Sequence, residues 1–104
     1  MIKVSVLYPY QEGATFDIDY YLNRHVPMVR DRLGSACKGA AVEQGIAGAT
    51  PESSPTYIAM GHLLFGSMEL FQAAFAPHAT EIMADIPNYT KIQPIIQISE
   101  VKMS

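Results

Sequence analysis

Residues 16–28 read FDIDYYLNRHVPM. Asp17 is a capping residue type, and beyond it Ile18, Leu22, His25, Val29 and Leu33 recur at three- and four-residue spacing. The spacing predicts an amphipathic helix from Asp17 to about Leu33, with those five residues as its buried stripe and Tyr21 at the border. Gly34-Ser35 supplies the stop. Pro27 is an anomaly inside that helix, because it has no N–H to offer the Asn23 carbonyl and leaves that acceptor free for a ligand, water or side chain. The same two turns hold Tyr20, Tyr21, Arg24 and His25. Titratable and aromatic groups beside a helix irregularity point to a site without naming its chemistry.

Working outward, Ile2, Val4, Val6 and Tyr8 alternate with Lys3, Ser5 and Leu7, the period of a strand, which Pro9 and Gly13 close. After the helix, Gly39–Gln44 has weak strand character, and residues 45–55 are rich in Gly, Ala, Thr, Pro and Ser and read as a loop. Tyr57–Phe65 is an apolar run of strand length, broken by Gly61 and His62. Ser67 caps a second helix in which Met68, Phe71 and Phe75 face the core, and Pro77 divides it, the second piece running from His78 to about Asp85. A last strand starts near Ile92, where Ile92, Pro94, Ile96 and Ile98 share one face; its proline suits an edge position or the first residues of the strand. The order β-α-β-β-α-β is the ferredoxin-like, split βαβ arrangement of an α+β domain.

That order puts both helices on one face of a four-stranded antiparallel sheet. Yet several strands carry apolar side chains on both faces: Leu7 beside Val6, Leu63 beside Leu64, Ile95 beside Ile96. A sheet facing water alternates more cleanly. A second copy of the same sheet is the expected cover, giving a homodimer through the open sheet face.

Composition narrows the function. The 104 residues suit one domain, residues 1–104, and 49% are hydrophobic, enough for a core. A net charge of −3 without a basic stripe disfavours a nucleic-acid partner. No apolar run has membrane-spanning length, and the start reads as a strand rather than a signal peptide. One cysteine, Cys37, fits a reducing compartment and is read as a passive thiol, so the expected location is cytoplasmic. Asn88-Tyr89-Thr90 matches the glycosylation pattern, but without a secretory signal it is a chance match.

His25 is the leading chemical candidate, aimed at the sheet with Tyr21 one turn before it. Such a histidine can act as general acid or base near neutrality; its bland counterpart is a core histidine bonded to a carbonyl or tyrosine. Tyr8, Tyr20 and Tyr57 could orient a carbonyl or ring substrate, although a strand tyrosine is more often a packing residue with a polar tip. Arg24 could clamp a carboxylate or simply be solvated. His62 is a second ligand-binding candidate, since Gly61 would let a ligand or backbone approach; an interface histidine is its ordinary reading. The three histidines lie on separate elements, so no metal site is expected. Spacing is also compatible with haem ligation by His25 alone.

FDIDYYLNRHVPM, followed by ADIPNYTKIQPIIQISEV at residues 84–101, resembles the EthD family, small bacterial proteins associated with degradation of ethyl tert-butyl ether. The Tyr21…His25-Val26-Pro27 pattern and IPNYTKIQP are the most specific parts. The resemblance covers essentially the whole chain and implies the dimeric α+β barrel, a superfamily that also holds cofactor-free quinol monooxygenases, muconolactone isomerases and haem-degrading enzymes. Carried over by position, it supports Tyr21 and His25 as a polar pair facing a cavity, and no reaction. Three functions are therefore open. The first is a cofactor-independent oxygenase or isomerase acting on a hydrophobic small molecule between the first helix and the sheet. The second is a non-catalytic carrier of such a molecule, and the third is haem binding through His25.

Overall fold

The computed structural model describes residues 1–104. Strands β1 (Ile2–Pro9), β2 (Gly39–Gln44), β3 (Tyr57–Phe65) and β4 (Ile95–Glu100) form one antiparallel sheet in the order β2-β3-β1-β4. With two helical segments against it, this is the ferredoxin-like α+β fold. No helix is long and apolar enough to cross a membrane.

Register assigns the faces. Val4 lies opposite Leu63 and Ile98, Val6 opposite Gly61 and Ile96, and Tyr8 opposite Ala59. Val4 packs with Val29, Leu33, Phe65 and Ile82, and Tyr8 with Tyr21, Ala59, Tyr89 and Ile92, so these even-numbered β1 residues face the helices. The core is thus built of aliphatic and phenylalanine side chains at one end and is rich in tyrosine at the other. Ser5, opposite His62 and Gln97, turns to the free face.

The first helix starts as expected, with the Asp17 carboxylate accepting from the Tyr20 N–H at 3.0 Å. It ends at Leu33, where Gly34 turns the chain with φ of 63°. Between the α-helical stretches Ile18–Tyr20 and Val26–Leu33 lies a π turn, Tyr21–His25, in which the Val26 N–H reaches back five residues to the Tyr21 carbonyl. The wider turn sits immediately before Pro27, and it corrects the expected stripe. A turn taking in one extra residue aligns positions four apart, so Tyr21, His25, Val29 and Leu33 are buried while Leu22 is 46% exposed.

The second helix runs from Met68 to Phe75, where the Ser67 hydroxyl accepts from the Leu70 N–H. It passes through a 3₁₀ turn at Ala76–His78, around Pro77, and resumes as Ala79–Asp85. A further 3₁₀ turn, Ile86–Asn88, leads to Tyr89. β4 begins at Ile95 rather than at Ile92, because Pro94 has no N–H to enter the ladder. Ile92 is buried all the same, its N–H held by the Thr90 hydroxyl at 3.1 Å.

Gly61 explains how the first helix approaches β3 so closely: a Cβ there would collide with the Tyr21 hydroxyl. Gly61→Ala is expected to lower the free energy of urea unfolding by about 1–3 kcal/mol, the usual cost of overpacking. Tyr21→Phe in the same chain should recover part of that loss, whereas an equal loss in both backgrounds would rule out this contact as the cause.

Candidate functional site

Between the helices and the sheet lies a cavity of about 230 Å³, and seventeen of its twenty-one lining residues are hydrophobic. Val6, Val29, Val42, Phe71, Phe75 and Ile82 supply apolar wall. Tyr8, Tyr21 and His25 supply its polar groups.

Those groups are placed by two segments far apart in sequence. The π turn carries Tyr21 and His25, whose rings stack at 5.5 Å and 15°. Opposite them, residues 85–90 are tied to the entry of the first helix: Phe16 bridges to Thr90, the Asp17 N–H donates to the Tyr89 carbonyl at 2.8 Å, and the Thr90 hydroxyl donates to the Thr15 carbonyl at 2.8 Å. Tyr89 is thereby wedged among Tyr8, Phe16, Tyr20, Tyr21 and His25, with ring centroids 4.7–6.2 Å away. Aromatic pairs of this kind contribute about 0.5–1.5 kcal/mol each beyond their buried area.

A string of polar atoms runs through this cluster. The Tyr8 and Tyr89 hydroxyls are 2.6 Å apart, the Tyr89 hydroxyl is 3.4 Å from His25 Nε2, and His25 Nδ1 is 2.8 Å from Asp85 Oδ2. The other Asp85 oxygen accepts from the Tyr20 hydroxyl at 2.7 Å and from Asn88 Nδ2 at 2.9 Å. The Tyr21 hydroxyl reaches over Gly61 beside the Tyr8 phenol.

Protonation states reflect burial and partners. His25 is only 6% exposed, and burial lowers its pKa below the ordinary 6.5 although Asp85 pulls the other way. Three donors, Tyr20, Asn88 and His25, hold the Asp85 carboxyl below its ordinary 3.8 against the opposing effect of desolvation. Near neutrality the pair is a neutral imidazole beside a carboxylate, which assigns the proton to Nδ1 and leaves the Nε2 lone pair toward the Tyr89 hydroxyl. Burial also pushes the Tyr8, Tyr21 and Tyr89 phenols well above the ordinary phenol value, so all three stay protonated.

Of the residues expected from sequence, Tyr8, Tyr21 and His25 come together at the cavity, and Tyr20 reaches Asp85 behind it. Arg24 does not join them: it is exposed and lines a shallow outer depression with Tyr20, Asp85 and Asn88, because the π turn directs Tyr21 and His25 inward. His62 borders the cavity, but its ring bonds Ser5 at 2.8 Å and Glu43 at 2.9 Å on the opposite sheet face. The space that Gly61 opens is filled by Tyr21 instead. Asp85 and Tyr89 were not among the expected residues, although Asp85, Asn88 and Tyr89 share one face at three- and four-residue spacing. Haem does not fit, since both His25 nitrogens are engaged and the cavity is smaller than the roughly 300–1,000 Å³ typical of ligand pockets. No group of three His, Cys, Asp or Glu side chains converges to hold a metal ion.

Comparison with known proteins places these features. The family model described as the EthD domain matches residues 13–93. An EthD-like protein of Ralstonia eutropha JMP134 is 52% identical, with TM-score 0.94 over 98% of this chain and 92% of that one. An ethyl tert-butyl ether degradation family protein of Bacillus halodurans C-125 shares the fold at 18% identity, with TM-score 0.66 over 97% and 98% of the two chains. So does a putative antibiotic biosynthesis monooxygenase of Bordetella bronchiseptica, at 13% identity and TM-score 0.65 over 98% and 97%. No curated protein sequence matches this chain.

The depressed His25 pKa has a consequence for stability. The unfolded chain binds a proton at His25 near pH 6.5 and the folded chain only at lower pH, so this contribution is fully present above 6.5 and is lost as pH falls through the folded value. The urea midpoint should therefore hold steady from pH 8 to 7 and decline below about 6.5. His25→Gln should flatten that decline; an undiminished decline would place its origin elsewhere.

Proposed function

We propose that this chain, which belongs to the EthD family, binds a compact apolar molecule between its first helix and the sheet and acts on it by proton transfer to His25. The observation that carries this reading is a buried imidazole, held by a carboxylate at 2.8 Å, at the polar end of an otherwise apolar cavity. His25 is the base. Asp85 orients its ring and offsets the positive charge when the proton arrives.

The phenols connect the ligand to the base. As the ligand gives a proton to the Tyr8 oxygen, Tyr8 passes its own to Tyr89 and Tyr89 passes its own to His25 Nε2. Both phenols end neutral, the imidazole ends cationic and the ligand carries the negative charge. Because burial disfavours a phenolate, the tyrosines conduct the proton without keeping the charge. Return of the proton to a different carbon completes an isomerisation, and no cofactor is required for the step.

Size supports a ligand with one ring or a compact branched skeleton. A dry cavity of ~150 Å³ accommodates benzene, and this one is about 230 Å³. A role in the breakdown of ethers or other xenobiotics, as the name of the Bacillus relative suggests, belongs to the same proposal. So does a homodimer joined through the free sheet face, where Leu7, Met60, Leu64 and Ile95 await a cover. Light scattering at micromolar concentration should give twice the monomer mass; the monomer mass alone would remove that part.

Cyclohexanone in D₂O tests the chemistry. The protein should accelerate exchange of its α-protons, with a rate that rises through the lowered His25 pKa and levels off above about pH 6.5. His25→Asn should slow the exchange about 10²–10⁴-fold, the usual weight of a general base. Binding of the ketone with no catalysed exchange in the unaltered protein would make it a carrier instead.

A further inference from the structure

We propose that Tyr20 and Asn88 are positioning residues that grip the Asp85 carboxylate from the outer surface, so that its inner oxygen faces His25 and the Nε2 lone pair stays toward Tyr89. This role rests on reading His25 as the base for its meaning in function, although its geometry stands independently.

Asp85 lies between two environments. Its Oδ2 meets His25 Nδ1 at 2.8 Å on the inner side. Its Oδ1 takes the Tyr20 hydroxyl at 2.7 Å and Asn88 Nδ2 at 2.9 Å on the outer side. Rotation of the carboxylate would break all three charge-assisted hydrogen bonds together. Without the outer pair, only the imidazole would fix its orientation, and the imidazole in turn depends on Asp85 for its tautomer.

The two outer donors come from different elements, Tyr20 from the first turn of the first helix and Asn88 from the 3₁₀ turn after the second. Each is placed by something other than Asp85. The Tyr20 ring stacks on Tyr89 at 6.2 Å and 22°, and Asn88 also donates to the Tyr20 hydroxyl at 3.4 Å. Both line the shallow outer depression and neither lines the cavity, so the hydrogen-bonded route from them toward a ligand runs through Asp85 and His25.

Nitrogen-15 NMR of the imidazole in the ligand-free protein reads this directly. In the unaltered protein His25 should show one neutral tautomer, with the proton on Nδ1. Tyr20→Phe, which keeps the ring on Tyr89, combined with Asn88→Ala should weaken that preference about tenfold, the scale of one charge-assisted hydrogen bond, and bring the Nε2–H form into view. The carbon-13 titration midpoint of the Asp85 carboxyl should rise toward its ordinary value once both donors are gone. Tyr20→Phe alone should move both readouts in the same sense by less, which covers the case of a double variant that does not fold. An unchanged tautomer and an unmoved Asp85 midpoint in a folded variant would overturn the proposal. No substrate is involved, so ketone exchange that survives His25→Asn would sink the acid–base reading and leave the NMR result intact.

Discussion

Desolvation of one imidazole governs the tyrosine-rich half of this protein. Burial disfavours a charged His25 more strongly than the adjacent carboxylate favours it, and the outcome is a neutral ring beside an anion. An anion at the margin of an apolar wall needs donors, and Tyr20 and Asn88 supply them from the side where water is near. The phenols on the inner side carry the hydrogen bonding from the ring into the cavity without introducing a second charge. The polar string is therefore compatible with an apolar pocket because its only formal charge sits at the outer end.

The two histidines on the sheet and its covering helix show that residue type alone does not decide a role. His25 is closed in by aromatic rings, and its acidic partner is itself mostly covered. His62 bonds a serine and a half-exposed glutamate on the free face of β3, and no ring stacks on it. Strand alternation separates them: Gly61 faces the helix and the next residue faces away. Ser5 does the same on β1, which is how a seryl hydroxyl and not a tyrosyl one reaches His62.

Most of the fold could be read from periodicity and punctuation. Alternation in β1, the Asp17 and Ser67 caps, the Gly34 stop and the division at Pro77 all describe local events, and local sequence determines them. The buried pair Tyr21 and His25 was legible because four-residue spacing holds in either helix type. Leu22 misled because the α period was applied through a turn that is not α, and Ile92 because alternation cannot show where the hydrogen-bond ladder begins. Asp85 and Tyr89 escaped for a different reason: their partner His25 lies 60 and 64 residues away, and no local pattern encodes such a pairing. The two most specific segments of the family resemblance, read separately in the sequence, turn out to be the two halves of one cluster.

The π turn also sets how this helix can tolerate changes in length. Its five-residue hydrogen-bond step holds one residue more than an α turn would. Deleting a single residue between Leu22 and Arg24 would restore regular α geometry and leave Val26–Leu33 seated on the aliphatic core. The N-terminal part of the helix would then keep its face relative to Val26–Leu33, because the wide turn holds the extra residue within a single turn. What would change is the spacing inside the turn: Tyr21 and His25 would stand three residues apart, and their rings, now stacked at 15°, would splay. A shortening that repairs the helix locally would spare the packing on either side and undo the stacked pair, so the extra residue serves the site rather than the helix.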